Sequence, residues 1–468
     1  MEFDLGPPET KGWFNCAQAR PRAGARVFCF SFAGGAERWF EDWPRLLPPE
    51  IEVVTAELPG RGTRPEPRAA EDFPALIKSL AEAIRAGLDL PFAFFGYGPG
   101  ASVAWELARA LRDRGEPIPF HLFVAGQRAP REPSSPAAPA VPLLCPISAC
   151  GSLTDAELGI EQLDGWRDET AGPFFLHLFC GNPPCLCRSP LLLDEIAREL
   201  SPQGANLPSD PVERSPVVVP PLLPRQLHLW RIGLDQPPAA CVPLAECLSP
   251  EEERRAARFV RQRDRRRFVV SHAALRMILG QYLGLPPDRV EIEVAAGGKP
   301  SLAPTSGLLP LMFNLSHSEE LALVGVTLDQ RIGVDVEHGR SLVDAENIVK
   351  RYFAAGERAR WQALAEDERL PAFFRGWTRK EAYLKARGVG LSAGLDRFEV
   401  SFAAGEPTCL VEEGGTADSA TRWQVYDFSP GGGYAAACAI EGEIERASLY
   451  DWSPLRLIGP TVARVARR

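Results

Sequence analysis

Asp335, Glu337, Lys380, Glu381 and Lys385 have the types and spacing for work on a phosphate. In residues 332–337, Ile332, Val334 and Val336 alternate with Gly333, Asp335 and Glu337, which is the period of a strand. The two carboxylates therefore leave one face, roughly 6.6 Å apart at the backbone. They can converge on one small cation, which takes oxygens at about 2.1 Å and keeps waters and phosphates as its other ligands. Residues 377–391, WTRKEAYLKARGVGL, predict a short helix with a sharp stop. Trp377, Glu381, Leu384 and Lys385 share one face, and Gly388 and Gly390 end it. Glu381, flanked by Lys380 and Lys385, would complete a site for a magnesium-bound pyrophosphate. Plainer readings compete: a D-x-E strand usually faces water, and Glu381 with Lys385 makes an ordinary i,i+4 pair.

The order of motifs along the chain separates these readings. GGKPSL (297–302) and FNLSHS (313–318) come first, then GVDVE, then W-x-x-KEA-x-x-K-x-x-GxGL. In that order they resemble the Sfp-type 4'-phosphopantetheinyl transferases. The resemblance implies an enzyme of the holo-[acyl-carrier-protein] synthase class. Such an enzyme moves phosphopantetheine from coenzyme A to a serine of an acyl or peptidyl carrier protein and releases 3',5'-ADP. Asp335, Glu337 and Glu381 would hold magnesium, with Glu381, Asp335 and Lys385 as the catalytic group. Arg255, Arg267, Lys299, Pro300, Ser316, His317, Lys380 and Lys385 would surround coenzyme A. Guanidinium forks suit phosphate oxygens, and Lys299 would serve as a point charge. Arg254, Arg261 and Arg266 on the same basic stretch are equally readable as surface.

The elements carrying these residues start with the strand LHLWRI (227–232). A helix opened by Ser249-Pro250 and an acidic first turn should run through EEERRAARFV into RQRDRRRFVVSHAALRMILGQYLG. Ser316 and His317 fall at the end of a strand. LALVGVT (321–327) and RIGVDVE are expected to form a hairpin across Asp329-Gln330, followed by a helix over 345–361, where the resemblance puts part of the carrier contact. RFEVSFA, TRWQVYDF and YAAACAI read as the last strands. The resemblance implies an α+β domain of two similar halves with coenzyme A in the cleft between them.

Residues 26–205 alternate strand-like and helix-like segments: VFCFSF, IEVVTAEL, ALIKSLAEAIRAGL, FAFFGYGPG, ASVAWELARALRDRG, HLFVAG and PISACG. That rhythm predicts a parallel sheet with helices on its faces. FSFAGGAERWF, ELPGRGTRP, FFGYGPGASVAWELARALR and WRDETAGPFFLHLFCGN resemble the type II thioesterases of the α/β-hydrolase fold. The family's G-x-S-x-G turn reads here Gly96-Tyr97-Gly98-Pro99-Gly100, with Gly98 at the nucleophile position. The histidine position falls within Gly181-Asn182-Pro183-Pro184, best on Pro183, and the acid position near Thr154 or Asp155. His121 and His177 lie in strands. REPSSPAAPAV is too short for the family's lid. Triad members act as a unit, so this domain is expected not to hydrolyse thioesters.

The expected domains are 1–203 (α/β, hydrolase-like, lid missing), a proline-rich linker at 204–226, the transferase fold at 227–453 and a basic, mobile tail at 454–468. The 468 residues are 45% hydrophobic and 24% charged, as in globular proteins. A net charge of -9 argues against a nucleic-acid binder. No apolar run reaches membrane length and no signal layout opens the chain, so a cytoplasmic protein, a monomer without membrane contact, is expected. The 11 cysteines are scattered. Cys180, Cys185 and Cys187 lack a second pair at zinc spacing and read as incidental thiols. Two other classes stay open: a bifunctional transferase with residual hydrolysis, and a non-catalytic carrier-binding protein.

Overall fold

The computed structural model describes residues 13–31, 37–58, 73–130, 141–153, 155, 157–181, 183–200, 221–294, 298–303, 309–340, 342, 344–389, 394–403, 410–412, 422–428 and 430–454. The chain divides into two compact units, Met1–Glu213 and Arg214–Arg468. Several sequence expectations lie outside the described residues: the oxyanion stretch 32–36, PGRGTRP, most of REPSSPAAPAV, Thr154, Asn182, most of the linker, Gly390, Leu391 and the tail from 455.

In the first unit, strands β1 (Phe14–Asn15), β2 (Ala25–Ser31), β3 (Ile51–Ala56), β4 (Phe92–Tyr97), β5 (His121–Ala125), β6 (Ile147–Ser152) and β7 (Phe174–Phe179) lie in the order β1-β3-β2-β4-β5-β6-β7. All neighbours are parallel except β1 with β3. Helices cover both faces of such a sheet, so its strands read as continuous apolar runs rather than alternating ones. Phe28, Phe30, Phe94, Phe95 and Phe123 are fully buried, and Phe30 meets Phe94 edge-on at 5.2 Å. The expected α/β-hydrolase-like order is present.

The second unit holds β8 (Gln226–Gly233), β9 (Ile292–Val294), β10 (Pro300–Leu302), β11 (Leu311–Ser318), β12 (Leu321–Leu328), β13 (Ile332–His338), β14 (Phe398–Val400), β15 (Leu410–Glu412), β16 (Trp423–Asp427), β17 (Tyr434–Glu441) and β18 (Arg446–Trp452). One sheet runs β18-β8-β12-β11, and a second runs β13-β17-β16. Each half carries a 22-residue helix, Gln262–Leu283 and Glu366–Arg387. Each helix stops on a left-handed glycine, Gly284 (φ 66°) and Gly388 (φ 70°). Tyr282 ties the first helix to β8, its hydroxyl 2.7 Å from His228 Nδ1 and 3.0 Å from Trp230 Nε1. The second helix lies on β13 and β17. This is the α+β unit of two similar halves.

Four expectations are corrected. The stop at Gly388 is as read, but the helix before it begins at Glu366, not near Trp377. The basic stretch is two helices, Pro250–Ala257 and Gln262–Leu283, broken between them. The first is opened by a capping box in which Ser249 and Glu252 bond each other's backbone amides. The expected helix over 345–361 is likewise two, Ala345–Tyr352 and Ala355–Ala363. β12 and β13 are not a hairpin. β12 pairs with β11 and β8, and β13 with β17. The chain does turn at Asp329 (φ 57°), but it passes into the second sheet. A Cβ on Gly325 would stand 2.6 Å from Ile332 Cδ1, so the strands meet through their faces.

Candidate active site

The site is built where β13 meets the second long helix. A Cβ on Gly333 would lie 2.1 Å from the Ala382 carbonyl oxygen and 2.3 Å from the Ala386 amide. Only glycine lets the helix backbone rest on the strand this closely. Asp335 is two residues along the strand, while Glu381 and Lys385 directly precede the two alanines. The remaining edge of β13 is met by side chains from β11. Asn314 Oδ1 accepts from the Val334 amide at 2.8 Å, and Ser318 Oγ accepts from the His338 amide at 3.1 Å. Ser318 also donates to Glu337 Oε2 at 3.1 Å. Asn314, Ser316 and Ser318 share one face of β11 because strand side chains alternate. Sequence reasoning missed Asn314 and Ser318. Their signal was the N-x-S-x-S period within FNLSHS.

Asp335 is buried, 4% exposed. Its Oδ1 accepts from Lys385 Nζ at 2.6 Å and Ser316 Oγ at 3.0 Å, and Lys385 also donates to Ser316 Oγ at 2.9 Å. Asp335 Oδ2 and Glu381 Oε1 are buried with no hydrogen-bond partner. Burial raises the pKa of Asp335 against the pull of Lys385. It also raises that of Glu337, with Asp335 adding repulsion. Glu381 is pushed up to about 7, by burial first and then by repulsion from Asp335 and Glu337. Buried acceptors without a donor and carboxylates resisting ionisation are the condition a cation relieves, so these side chains fit one. Among the described residues no three His, Cys, Asp or Glu side chains converge as a ready-made cage. Magnesium uses one or two carboxylates and completes its shell with waters and phosphate oxygens.

The other predicted residues divide. His317 is exposed, on the face of β11 opposite Ser316, and partial desolvation, then Lys385, lower its pKa. Arg255 is exposed and lies over the Phe268 ring at 5.3 Å, and that ring stacks on His272 at 3.8 Å. Three cations differ from expectation. Lys380 is not a phosphate ligand. It is fully buried, paired with buried Glu357 at 2.8 Å, and donates to the carbonyls of Leu395 at 2.7 Å and Phe398 at 2.5 Å. Glu357 completes the network by accepting from the Ala354 and Val400 amides, each at 2.7 Å. Arg267 presents its fork to Asp235 at 2.7 and 2.8 Å and reaches Glu319 at 3.2 Å, so carboxylates hold it. Lys299 donates to the carbonyls of Ile332 at 2.8 Å and Ala386 at 3.0 Å. Burial, then Arg331, lowers its pKa to about 8. Pro300 opens β10, opposite Val294.

In the first unit the turn after β4 keeps its shape without its chemistry. Gly98 has φ 53° and ψ −133°, which glycine alone takes without strain. The flanking glycines are held by contact: a Cβ on Gly96 would meet Ala101 Cα at 2.3 Å, and one on Gly100 the Phe30 oxygen at 2.3 Å. A Cβ on Gly98 would meet nothing within 4 Å. Position 99 is proline, so the amide hydrogen that follows a nucleophile in this fold is missing. Sequence reasoning passed over that loss. His121 and His177 are buried within β5 and β7. His121 Nε2 meets Ser148 Oγ at 2.9 Å, and His177 Nε2 meets Glu195 Oε1 at 3.2 Å. Asp155 Oδ1 accepts from the Glu157 and Leu158 amides at 2.9 and 3.0 Å. Cys180 is an exposed and Cys187 a buried free thiol.

Residues 25–144 match the family described as a thioesterase domain. Residues 238–327 match the N-terminal region of the 4'-phosphopantetheinyl transferases, and residues 331–439 match the 4'-phosphopantetheinyl transferase superfamily. The 4'-phosphopantetheinyl transferase HetI of Nostoc sp. is 39% identical over 233 residues, 50% of this chain and 92% of HetI. The gramicidin S biosynthesis protein GrsT of Aneurinibacillus migulanus is 38% identical over 119 residues, 25% of this chain and 46% of GrsT. Among solved structures, the RedJ thioesterase from the prodiginine pathway of Streptomyces coelicolor is 29% identical over 39% of this chain and 88% of its own, at a TM-score of 0.36. The chain belongs to the 4'-phosphopantetheinyl transferase family, with a thioesterase-type α/β-hydrolase domain preceding the transferase in the same polypeptide.

Proposed function

We propose that the second unit moves the 4'-phosphopantetheine arm of coenzyme A onto a serine of an acyl or peptidyl carrier protein, in polyketide, nonribosomal peptide or fatty-acid biosynthesis. One observation carries this reading: Lys385 and Ser316 fasten one oxygen of Asp335, while Asp335 Oδ2 and Glu381 Oε1 stay buried and unpartnered. Asp335 and Glu381, with Glu337 beside them, would hold magnesium, which when bound neutralises pyrophosphate charge. Lys385 keeps a second positive charge against the same group, Arg255 offers a further one, and His317, whose lowered pKa favours the neutral ring, would contribute as a hydrogen-bonding group. The serine oxygen forms the new bond to phosphorus, the bond to 3',5'-ADP breaks, and the hydroxyl proton passes to Glu381. A carboxylate placed beside the reacting group can take such a proton once ionised. The first unit, taken as residues 1–203 with a linker to 226, contributes no hydrolysis in this reading.

Asp335→Asn keeps an oxygen for Ser316 and Lys385, and Glu381→Gln keeps the shape. Each should lower 3',5'-ADP release on the order of 10²-fold or more with the melting temperature near that of the wild type. EDTA should stop the wild type, and added magnesium should restore it. Near-normal turnover in either variant would remove these residues from the site.

A further inference from the structure

The joint beneath the carboxylates is fastened at three places, and the third is a side chain. At the first two, the missing Cβ of Gly333 lets the strand touch the Ala382 carbonyl and the Ala386 amide. At the third, Lys299 Nζ bridges the carbonyl of Ile332 on β13, at 2.8 Å, and that of Ala386 on the second long helix, at 3.0 Å. Ala386 lies in the last turn of its helix, where carbonyls have no partner within the helix and a cation is favoured. The lysine stem runs past the glycine that stops the helix, where a Cβ on Gly388 would lie 3.5 Å from Lys299 Cδ, an ordinary packing distance. Ile332 is three residues from Asp335, and Ala386 directly follows Lys385. The bridge therefore spans the two segments whose relative placement sets the 2.6 Å contact between Lys385 and Asp335.

We propose that Lys299 is a positioning residue of the transfer site, holding β13 to the end of the second long helix so that Asp335, Lys385 and Glu381 stay in register, rather than a ligand of a coenzyme A phosphate. This rests on the transferase reading above. Two of its three N–H groups are spent on the joint, and the ammonium points into it.

The test compares wild type, Lys299→Met and Lys299→Gln in the full chain with magnesium, coenzyme A and a free carrier protein. Coenzyme A affinity is measured separately by calorimetry. A positioning role leaves the Kd for coenzyme A unchanged and lowers kcat on the order of 10- to 100-fold in Lys299→Met. Lys299→Gln, which keeps two N–H donors without the charge, should recover part of that loss. A phosphate ligand would instead raise the Kd in both uncharged variants alike. That result, or an unchanged kcat in Lys299→Met, overturns the proposal. If Lys299→Met does not fold, Lys299→Gln carries the comparison: lowered kcat at unchanged Kd supports positioning, and raised Kd refutes it. A wild type that binds coenzyme A but transfers nothing overturns both readings, whereas an active wild type with a raised Kd in the variants overturns this one alone.

Discussion

Two adjacent residues decide the fate of the hydrolase-like turn. Gly98 offers no oxygen to attack a thioester, and Pro99 offers no N–H to the oxyanion that attack would create. An oxyanion donor alone is worth about 10²- to 10³-fold in rate, so restoring the serine addresses only part of the loss. The wild type should therefore release no acyl group from thioester substrates above background. Gly98→Ser should stay at background too, since His121 and His177 are sealed in strands and a serine at φ 53° is strained. Hydrolysis by the wild type, read as free thiol, would show that the first unit keeps a chemistry its turn does not explain.

The second long helix is where charge becomes architecture. Lys380 and Glu357 are 0% exposed and satisfy each other and four backbone groups. Their network fastens the helix to Ala355–Ala363 and to β14, one residue before Glu381. Removing one partner of a buried pair strands the other charge and costs about 3–5 kcal/mol, far more than a surface pair. Glu357→Gln should lower the denaturation midpoint accordingly, and adding Lys380→Met should recover part of the loss by removing the stranded ammonium. A Glu357→Gln midpoint at the wild-type value would contradict this account. Such burial could not be read from K-E-A alone, because a lysine beside a catalytic carboxylate looks the same in sequence whether it faces a phosphate or a glutamate 23 residues earlier. What was legible was local: the alternation of β13, the end of β11, the Ser249 cap and the stop at Gly388. What was not legible was non-local. β13 pairs with β17 about a hundred residues on, and no residue of β18 advertises its parallel pairing with β8.

Across the whole chain, the first unit keeps a fully specified core while its catalytic turn is empty. The second unit gathers charge around unpartnered carboxylate oxygens. Apolar periodicity exposed the parallel sheet of the first unit, since strand and helix periods do not depend on the catalytic turn, whereas the two-half fold of the second was legible only through its motif resemblance. The site needed more, because charge spacing gave the carboxylates but not which cations would be consumed as struts. Lys299, Lys380 and Arg267 all turned inward or onto carboxylates, leaving Lys385 and Arg255 as the cations nearest the predicted role. The most direct measurement is the intact mass of an apo carrier protein after incubation with this protein, coenzyme A and magnesium. The account predicts a gain of one phosphopantetheinyl group at the carrier serine, abolished by EDTA. A carrier of unchanged mass, with the protein folded and coenzyme A in excess, would contradict it.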